Sequence, residues 1–108
     1  MNRAVWPGKS RKSRKPWGYE IEWRGLFSGK EIHIESGKRT SLKFNTHKTE
    51  LLYVSTGKVS VECADEMHLT DPVRSPSRML VLNEGDFLNV QAGCPYRVTA
   101  LENSIIFE

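Results

Sequence analysis

The residues best suited to chemistry lie in one polar stretch, residues 40–50, and at one position of a later segment. Leu42 and Phe44 alternate with polar residues, which predicts a strand over Thr40–His47. Glu50 follows this strand, and Tyr96 lies in the later segment. The polar face of the strand carries Ser41, Lys43, Asn45 and His47.

These residue types can hold an anion or move a proton. A protonated lysine such as Lys43 donates hydrogen bonds and supplies a positive charge. Lys30 and Arg39 are further cations that could help to hold an anion. A carboxylate, an imidazole or a phenol can act as a general acid or base. The catalytic candidates are therefore Glu50, His47 and Tyr96.

Short alternating segments that must position these residues run through most of the chain. Turn residues separate the segments, and none shows a sustained helical period. The polar, proline-containing stretch from Ala64 to Arg78 predicts a long loop. About nine strands without an internal repeat predict an all-β sandwich or barrel. The predicted strands are Tyr19–Trp23, Glu31–Glu35, Thr40–His47, Leu51–Ser55, Lys58–Cys63, Arg78–Leu82, Phe87–Val90, Tyr96–Leu101 and Ser104–Phe107.

A chain of 108 residues is expected to form one domain. Its hydrophobic content of 38% and charged content of 27% are typical of a soluble globular protein. No apolar run approaches the ~18 residues that a membrane span needs, so no membrane contact is expected. Cys63 and Cys94 are too few for a disulfide framework and, without a visible signal peptide, favour a cytoplasmic location.

The net charge of +3 hides an uneven distribution. Residues 1–15 contain six basic residues and no acid, whereas the rest of the chain contains 10 basic and 13 acidic residues. Residues 1–14 are therefore predicted to be a basic, flexible and disordered arm that precedes the folded domain, residues 15–108. The arm could contact phosphate groups of nucleic acid or of an anionic ligand, and Trp6 is its candidate stacking residue.

Two glycine-bounded segments, Gly37–Gly57 and Gly85–Ala100, have spacings that resemble the two signature motifs of the cupin superfamily. The run Lys15-Pro-Trp-Gly-Tyr-Glu20 adds a similarity to small single-domain cupins related to the C-terminal domain of type II mannose-6-phosphate isomerases. The resemblance implies a single jelly-roll barrel, a double-stranded β-helix, over residues 15–108. It also implies that the polar face of Thr40–His47 lines the pocket of this barrel.

The resemblance places the usual cupin metal ligands at Lys43, Asn45, Glu50 and Tyr96. A lysine ammonium repels a cation, and a tyrosine binds a metal only when it is deprotonated. We therefore expect no metal and no other cofactor. The weaker alternative is a shifted register that offers Asn45, His47 and Glu50 as a nitrogen and oxygen ligand set.

The predicted function is binding or sensing of a small polar or anionic ligand in the barrel, and the resemblance points to a sugar or sugar phosphate. One alternative is an isomerase-like or epimerase-like enzyme of sugar metabolism, with the acid–base candidates beside a carbonyl and Lys43 at the oxyanion. Another is an inert scaffold whose arm binds a partner. The predicted ligand-binding residues are Arg39, Lys43, Asn45, His47, Glu50 and Tyr96.

Two contacts are also expected. Because Lys43 and Glu50 both stand at family ligand positions, their side chains should converge and form an ion pair. The first strands should support a homodimer through exposed apolar residues, and the expected interface buries more than ~1,000 Å² in total. The residues expected in that interface are Trp23, Leu26 and Phe27.

Overall fold

A computed structural model describes residues 4–108, which form nine β-strands and one short 3₁₀ helix. The helix, Glu66–Leu69, lies in the loop predicted between Ala64 and Arg78. In residues 4–108 no helix is long and apolar enough to cross a membrane. The strands are β1 (Arg11–Lys15), β2 (Gly18–Trp23), β3 (Gly29–Ile34), β4 (Glu50–Thr56), β5 (Lys58–Cys63), β6 (Arg78–Asn83), β7 (Phe87–Val90), β8 (Tyr96–Ala100) and β9 (Ser104–Phe107).

The strands form two antiparallel sheets with a shared core between them. One sheet has six strands in the order β1-β2-β3-β9-β4-β7, and the other has three in the order β6-β5-β8. Alternate side chains point into the core, such as Leu52 and Val54 of β4 and Val59 and Val61 of β5, each at most 1% exposed. Two facing antiparallel sheets are the jelly-roll arrangement, so the predicted all-β jelly-roll architecture is confirmed.

Four of the five residues of the first strand lie in the segment predicted to be a flexible arm. Arg11–Lys15 pairs antiparallel with β2, and Lys15 stands opposite Gly18 at the turn between them. Residues 11–14 are thus part of a sheet, because β2 offers a free edge of backbone N–H and C=O groups even though all five side chains of β1 stay exposed. The arm prediction also covers Met1–Arg3, which lie outside the described residues.

The segment predicted as strand Thr40–His47 is irregular instead. It runs beside β8 and joins that strand through one isolated bridge, between Lys43 and Tyr96, while a second bridge links Arg39, just before the segment, to Thr99. The predicted alternation nevertheless holds at the centre of the segment. Lys43 is partly buried, whereas its neighbours Leu42 and Phe44 are each 47% exposed.

Side-chain oxygens explain why a regular ladder does not form there. Asn45 Oδ1 accepts hydrogen bonds from the backbone N–H groups of His47 (2.9 Å) and Lys48 (3.0 Å), which turns the chain. Thr40 Oγ1 accepts a hydrogen bond of 3.1 Å from the backbone N–H of Val98. Polar side chains that bond to nearby backbone groups compete with strand pairing, and the alternation of residue types does not reveal that competition.

Candidate functional site

Polar side chains from several elements converge on an open cavity of about 900 Å³. They come from β2, β3 and β4, from the residue that follows β9, and from the loops that precede β3 and β4. The positive and negative charges of the lining balance when all of its charged groups are ionised. These groups are four carboxylates, Glu20, Glu22, Glu50 and Glu108, and four cations, Arg24, Lys30, Lys43 and Lys48.

Tyr96, Glu50 and Glu108 form one polar group at the cavity. The Tyr96 hydroxyl donates a hydrogen bond of 2.7 Å to Glu50 Oε2, which joins β8 of one sheet to β4 of the other. Glu108 lies near both side chains, and the carboxyl charges of Glu50 and Glu108 influence the pKa values within the group.

Lys43 pairs with Glu108 in this group. Its Nζ atom lies 3.5 Å from Glu108 Oε2, and the two side chains are 23% and 15% exposed. The predicted ion pair between Lys43 and Glu50 is therefore wrong in its partner, although both side chains do converge on the cavity. The reason is that the Tyr96 hydroxyl orients the Glu50 carboxylate.

Burial shifts the protonation of two of these groups. It raises the pKa of Glu108 above the ordinary value of 4.5; the Lys43 ammonium opposes this rise, and the hydrogen bond and charge of Glu50 add to it. Burial also raises the pKa of Tyr96, and the neighbouring Glu108 and Glu50 carboxylates raise it further. Tyr96 is therefore a protonated hydrogen-bond donor at neutral pH.

Lys30 lies between the two carboxylates of β2. Its Nζ atom is 3.5 Å from Glu20 Oε2 and 3.9 Å from Glu22 Oε2. Strand pairing makes this contact, because Lys30 stands directly opposite Glu22. Lys30 and Glu108 also exchange two backbone hydrogen bonds, of 2.8 and 2.9 Å. The backbone of the sheet therefore holds the cluster of Lys30 with Glu20 and Glu22 next to Glu108.

Four of the six predicted ligand-binding residues come together at the cavity, and two do not. Arg39 and His47 have exposed side chains and are not part of the lining. His47 is excluded because the turn made by Asn45 ends the alternation before it. The residues that line the cavity or reach it by a hydrogen bond are Lys43, Asn45, Glu50 and Tyr96.

The sequence reasoning missed the glutamates that complete the site. Glu20 and Glu22 alternate along β2, and that period of two could have indicated a shared face. Glu108 follows Ser104 and Ile106, which are both buried, at the same period. The alternation of β9 thus predicts that the Glu108 side chain points inward. This prediction requires accepting a charged residue on the face of the strand that points to the core.

The side chains present do not fit the metal that the resemblance to cupins would imply. Within residues 4–108, no group of three His, Cys, Asp or Glu side chains is placed to bind a metal ion. The Lys43 ammonium occupies the space beside the Glu50–Glu108 pair, and Tyr96 keeps its proton. The alternative ligand set of Asn45, His47 and Glu50 does not assemble, since the Asn45 oxygen binds backbone N–H groups and His47 lies outside the cavity.

Comparison with known proteins identifies the fold through structure alone. No protein-family model and no curated protein matches the sequence. The formate complex of the Lactobacillus farciminis oxalate decarboxylase matches 98% of this chain with a TM-score of 0.76 and 17% identity. A mutant of the Bacillus subtilis oxalate decarboxylase matches 91% of it with a TM-score of 0.73 and 19% identity.

A third similar structure is the CENP-C cumin domain of Drosophila melanogaster, with a TM-score of 0.70 and 13% identity over 91% of this chain. The chain spans 70% of that domain, 33% of the Lactobacillus protein and 26% of the Bacillus protein. These are cupin-fold proteins, so the chain has the cupin fold. The finer resemblance to mannose-6-phosphate isomerases stays a prediction.

Proposed function

We propose that this chain is a ligand-binding cupin domain that takes a small polar molecule of the sugar class into its cavity. The observation that carries the proposal is the open cavity of about 900 Å³ with charged side chains of both signs around it. An inert scaffold would instead be expected to fill its barrel with side chains. A cytoplasmic location also stays a prediction.

The pairing of the charges favours a neutral sugar over a sugar phosphate. Lys30 already lies beside Glu20 and Glu22, and Lys43 lies beside Glu108. A phosphate group would have to compete with these carboxylates for each ammonium and would then lie close to them. Sugar hydroxyl groups can donate to the carboxylates and accept from the ammonium groups, so they satisfy both signs without separating the pairs.

Calorimetric titration with mannose and with mannose 6-phosphate tests this proposal. We expect saturable binding of mannose and weaker binding of its phosphate. Glu50→Gln should weaken mannose binding about tenfold, which corresponds to the loss of one charge-assisted hydrogen bond. Lys38→Met, which changes an exposed charge outside the cavity, should leave binding unchanged. Absence of saturable binding of either compound at millimolar concentration would refute the proposal.

A second candidate function is proton transfer on a sugar phosphate, as in an isomerase or epimerase. The observation in its favour is a carboxyl group with a raised pKa, Glu108, in contact with a second carboxyl group, Glu50, inside a cavity. The carboxylate of the pair would take a proton from the carbon beside the carbonyl, and the Lys43 ammonium would stabilise the enolate oxygen that forms.

Exchange of that carbon-bound hydrogen separates the two functions. Mannose 6-phosphate is incubated with the protein in deuterated water, and the hydrogen signal at C2 is followed by NMR. An enzyme should remove this signal, and Glu50→Gln, which removes the carboxylate of the pair, should slow the exchange at saturating substrate by at least about a hundredfold, the contribution expected of one general base. If the C2 signal persists while binding is saturable, the proton-transfer function is excluded and only the binding function remains.

A further inference from the structure

The hairpin of β1 and β2 presents a row of cations that the proposed cavity does not use. β1 has the sequence Arg-Lys-Ser-Arg-Lys, and each of its five side chains is exposed. It is the edge strand of the six-stranded sheet. Cations therefore project on both faces of a free edge, and alternate residues on one face lie about 6.8 Å apart.

Within residues 4–108, none of the four β1 cations forms an ion pair with an acidic side chain. Arg11 and Ser13 stand opposite the carboxylates Glu22 and Glu20 of β2, but those carboxylates are already paired with other cations. Glu22 binds Arg24 and, like Glu20, lies beside Lys30. The cavity cations Arg24 and Lys30 thus bind the carboxylates that could otherwise neutralise the positive charges of β1.

A stack of side chains fixes the hairpin in place. Lys12 Nζ lies 4.1 Å from the centre of the Tyr19 ring, and that ring stacks on His33 at 4.1 Å and 15°. His33 in turn contacts Glu31, with 2.7 Å between Nε2 and Oε1. The row of cations is therefore held in an extended form, so binding a partner costs less ordering entropy than it would for a flexible arm.

We propose that β1 binds the phosphate backbone of a nucleic acid. The chemistry required is a series of negative charges along a chain, which matches the series of unpaired cations along the strand. Guanidinium groups such as Arg11 and Arg14 suit phosphate because they can donate two parallel hydrogen bonds. No base-reading arrangement is visible on β1, so the binding is independent of sequence.

A nucleic acid is favoured over an anionic membrane. β1 contains no apolar side chain that could enter the lipid boundary between its cations. The edge strand is also narrow, with about 17 Å of length for five residues, which suits contact with one backbone better than with a surface.

Fluorescence anisotropy with labelled oligonucleotides of about 20 residues, single-stranded and duplex, measures the interaction between about 50 and 200 mM salt. The expected dissociation constant near physiological salt is about 1–100 µM, the range of sequence-independent binding. With up to four phosphates neutralised, the logarithm of the association constant should fall against the logarithm of salt concentration with a slope of about −3.

Three variants decide whether β1 is responsible. Replacement of Arg11, Lys12, Arg14 and Lys15 by Gln should reduce the affinity at least about tenfold and bring the slope close to zero. The matched control replaces four other exposed cations by Gln, and should retain most of the affinity and the slope. Its positions are Lys38, Lys58, Arg74 and Arg78. The conservative pair Arg11→Lys with Arg14→Lys should keep the slope, because it retains every charge.

Circular dichroism and urea unfolding establish that each variant keeps its sheets. Equal losses of affinity in the hairpin variant and the control would overturn the proposal, because the effect would then follow net charge alone. Binding to phosphatidylserine-containing vesicles without binding to either oligonucleotide would also overturn it, in favour of a membrane surface.

Discussion

At the scale of single residues, the cavity is defined by which carboxylate each cation and hydroxyl group contacts. Lys43 lies next to Glu108, and Tyr96 donates to Glu50. Both contacts join residues far apart in the chain, 65 and 46 positions respectively. The two glutamates therefore differ in role, because Glu108 balances a charge while Glu50 accepts a hydrogen bond.

A double-mutant cycle should detect this difference. We expect Lys43→Met and Glu108→Gln to be coupled by about 1 kcal/mol of unfolding free energy, between the values typical of exposed and of buried ion pairs. Lys43→Met and Glu50→Gln should show a smaller coupling, since those two side chains form no ion pair. Urea unfolding of the single and double variants measures both. A larger coupling to Glu50 would mean that Lys43 pairs with Glu50 instead of Glu108.

The raised pKa of Glu108 makes stability depend on pH in a defined direction. A carboxyl group whose pKa is higher in the folded state than its ordinary value of 4.5 holds its proton more tightly when folded. Its contribution to stability is present in full below pH 4.5 and is lost as the pH rises through the folded pKa. Glu108→Gln removes this contribution, so the variant should gain stability relative to wild type as the pH rises.

Urea unfolding of wild type and Glu108→Gln between acidic and neutral pH measures that change. Glu102→Gln is the matched control, because Glu102 is an exposed glutamate outside the cavity. The difference between wild type and Glu102→Gln should stay constant over the same range. A constant difference for Glu108→Gln as well would show that its carboxyl group is not held in a protonated state by the fold.

At the scale of secondary structure elements, close contact between backbones decides where the strands can pair. Gly18 opens β2 with φ of +150°, and a Cβ atom added there would overlap the carbonyl oxygen of His33 in β3. The position also sits at the turn from β1, opposite Lys15. Only glycine allows β2 to pair with both of its neighbours along its whole length.

Gly18→Ala should therefore destabilise the domain by at least ~1–3 kcal/mol, the cost of a strained backbone conformation. Gly8→Ala is the control, because nothing lies within 4 Å of a Cβ atom added there. The control should change the free energy of unfolding by less than ~0.5 kcal/mol. Equal effects at the two positions would show that β2 and β3 do not approach each other as described.

At the scale of the whole molecule, an apolar row crosses the outer face of the six-stranded sheet. Tyr53 of β4 stands opposite Phe107 of β9 on one side and Phe87 of β7 on the other. These side chains are 38–58% exposed, and the rings of Tyr53 and Phe107 stack at 6.4 Å. The predicted homodimer would cover this row, which adds to the exposed residues that the sequence indicated, Trp23, Leu26 and Phe27.

Light scattering at micromolar concentration tests the homodimer. We expect the mass of two chains for the wild type and of one chain for Tyr53→Lys combined with Phe87→Lys, because two charges on each copy would be buried without partners. Val73→Lys changes an apolar residue of the long loop that is 88% exposed, and it should leave the dimer intact. A wild-type mass of one chain would exclude the dimer at that concentration.

The sequence by itself determined the all-β fold, the cupin spacing and the inward direction of Lys43. These follow from the period of two along an extended chain and from glycines at turns, which are local properties. The cluster of six basic residues without an acid in the first fifteen positions was visible in the same way.

Only the tertiary structure decided which groups meet. The pairing of Lys43 with Glu108 depends on the registers of β9 and of the irregular segment, which no local pattern specifies. His47 left the predicted site because one side-chain oxygen of Asn45 turned the backbone. β1 formed because the edge of β2 could satisfy its backbone groups, although its own side chains gave no sign of burial.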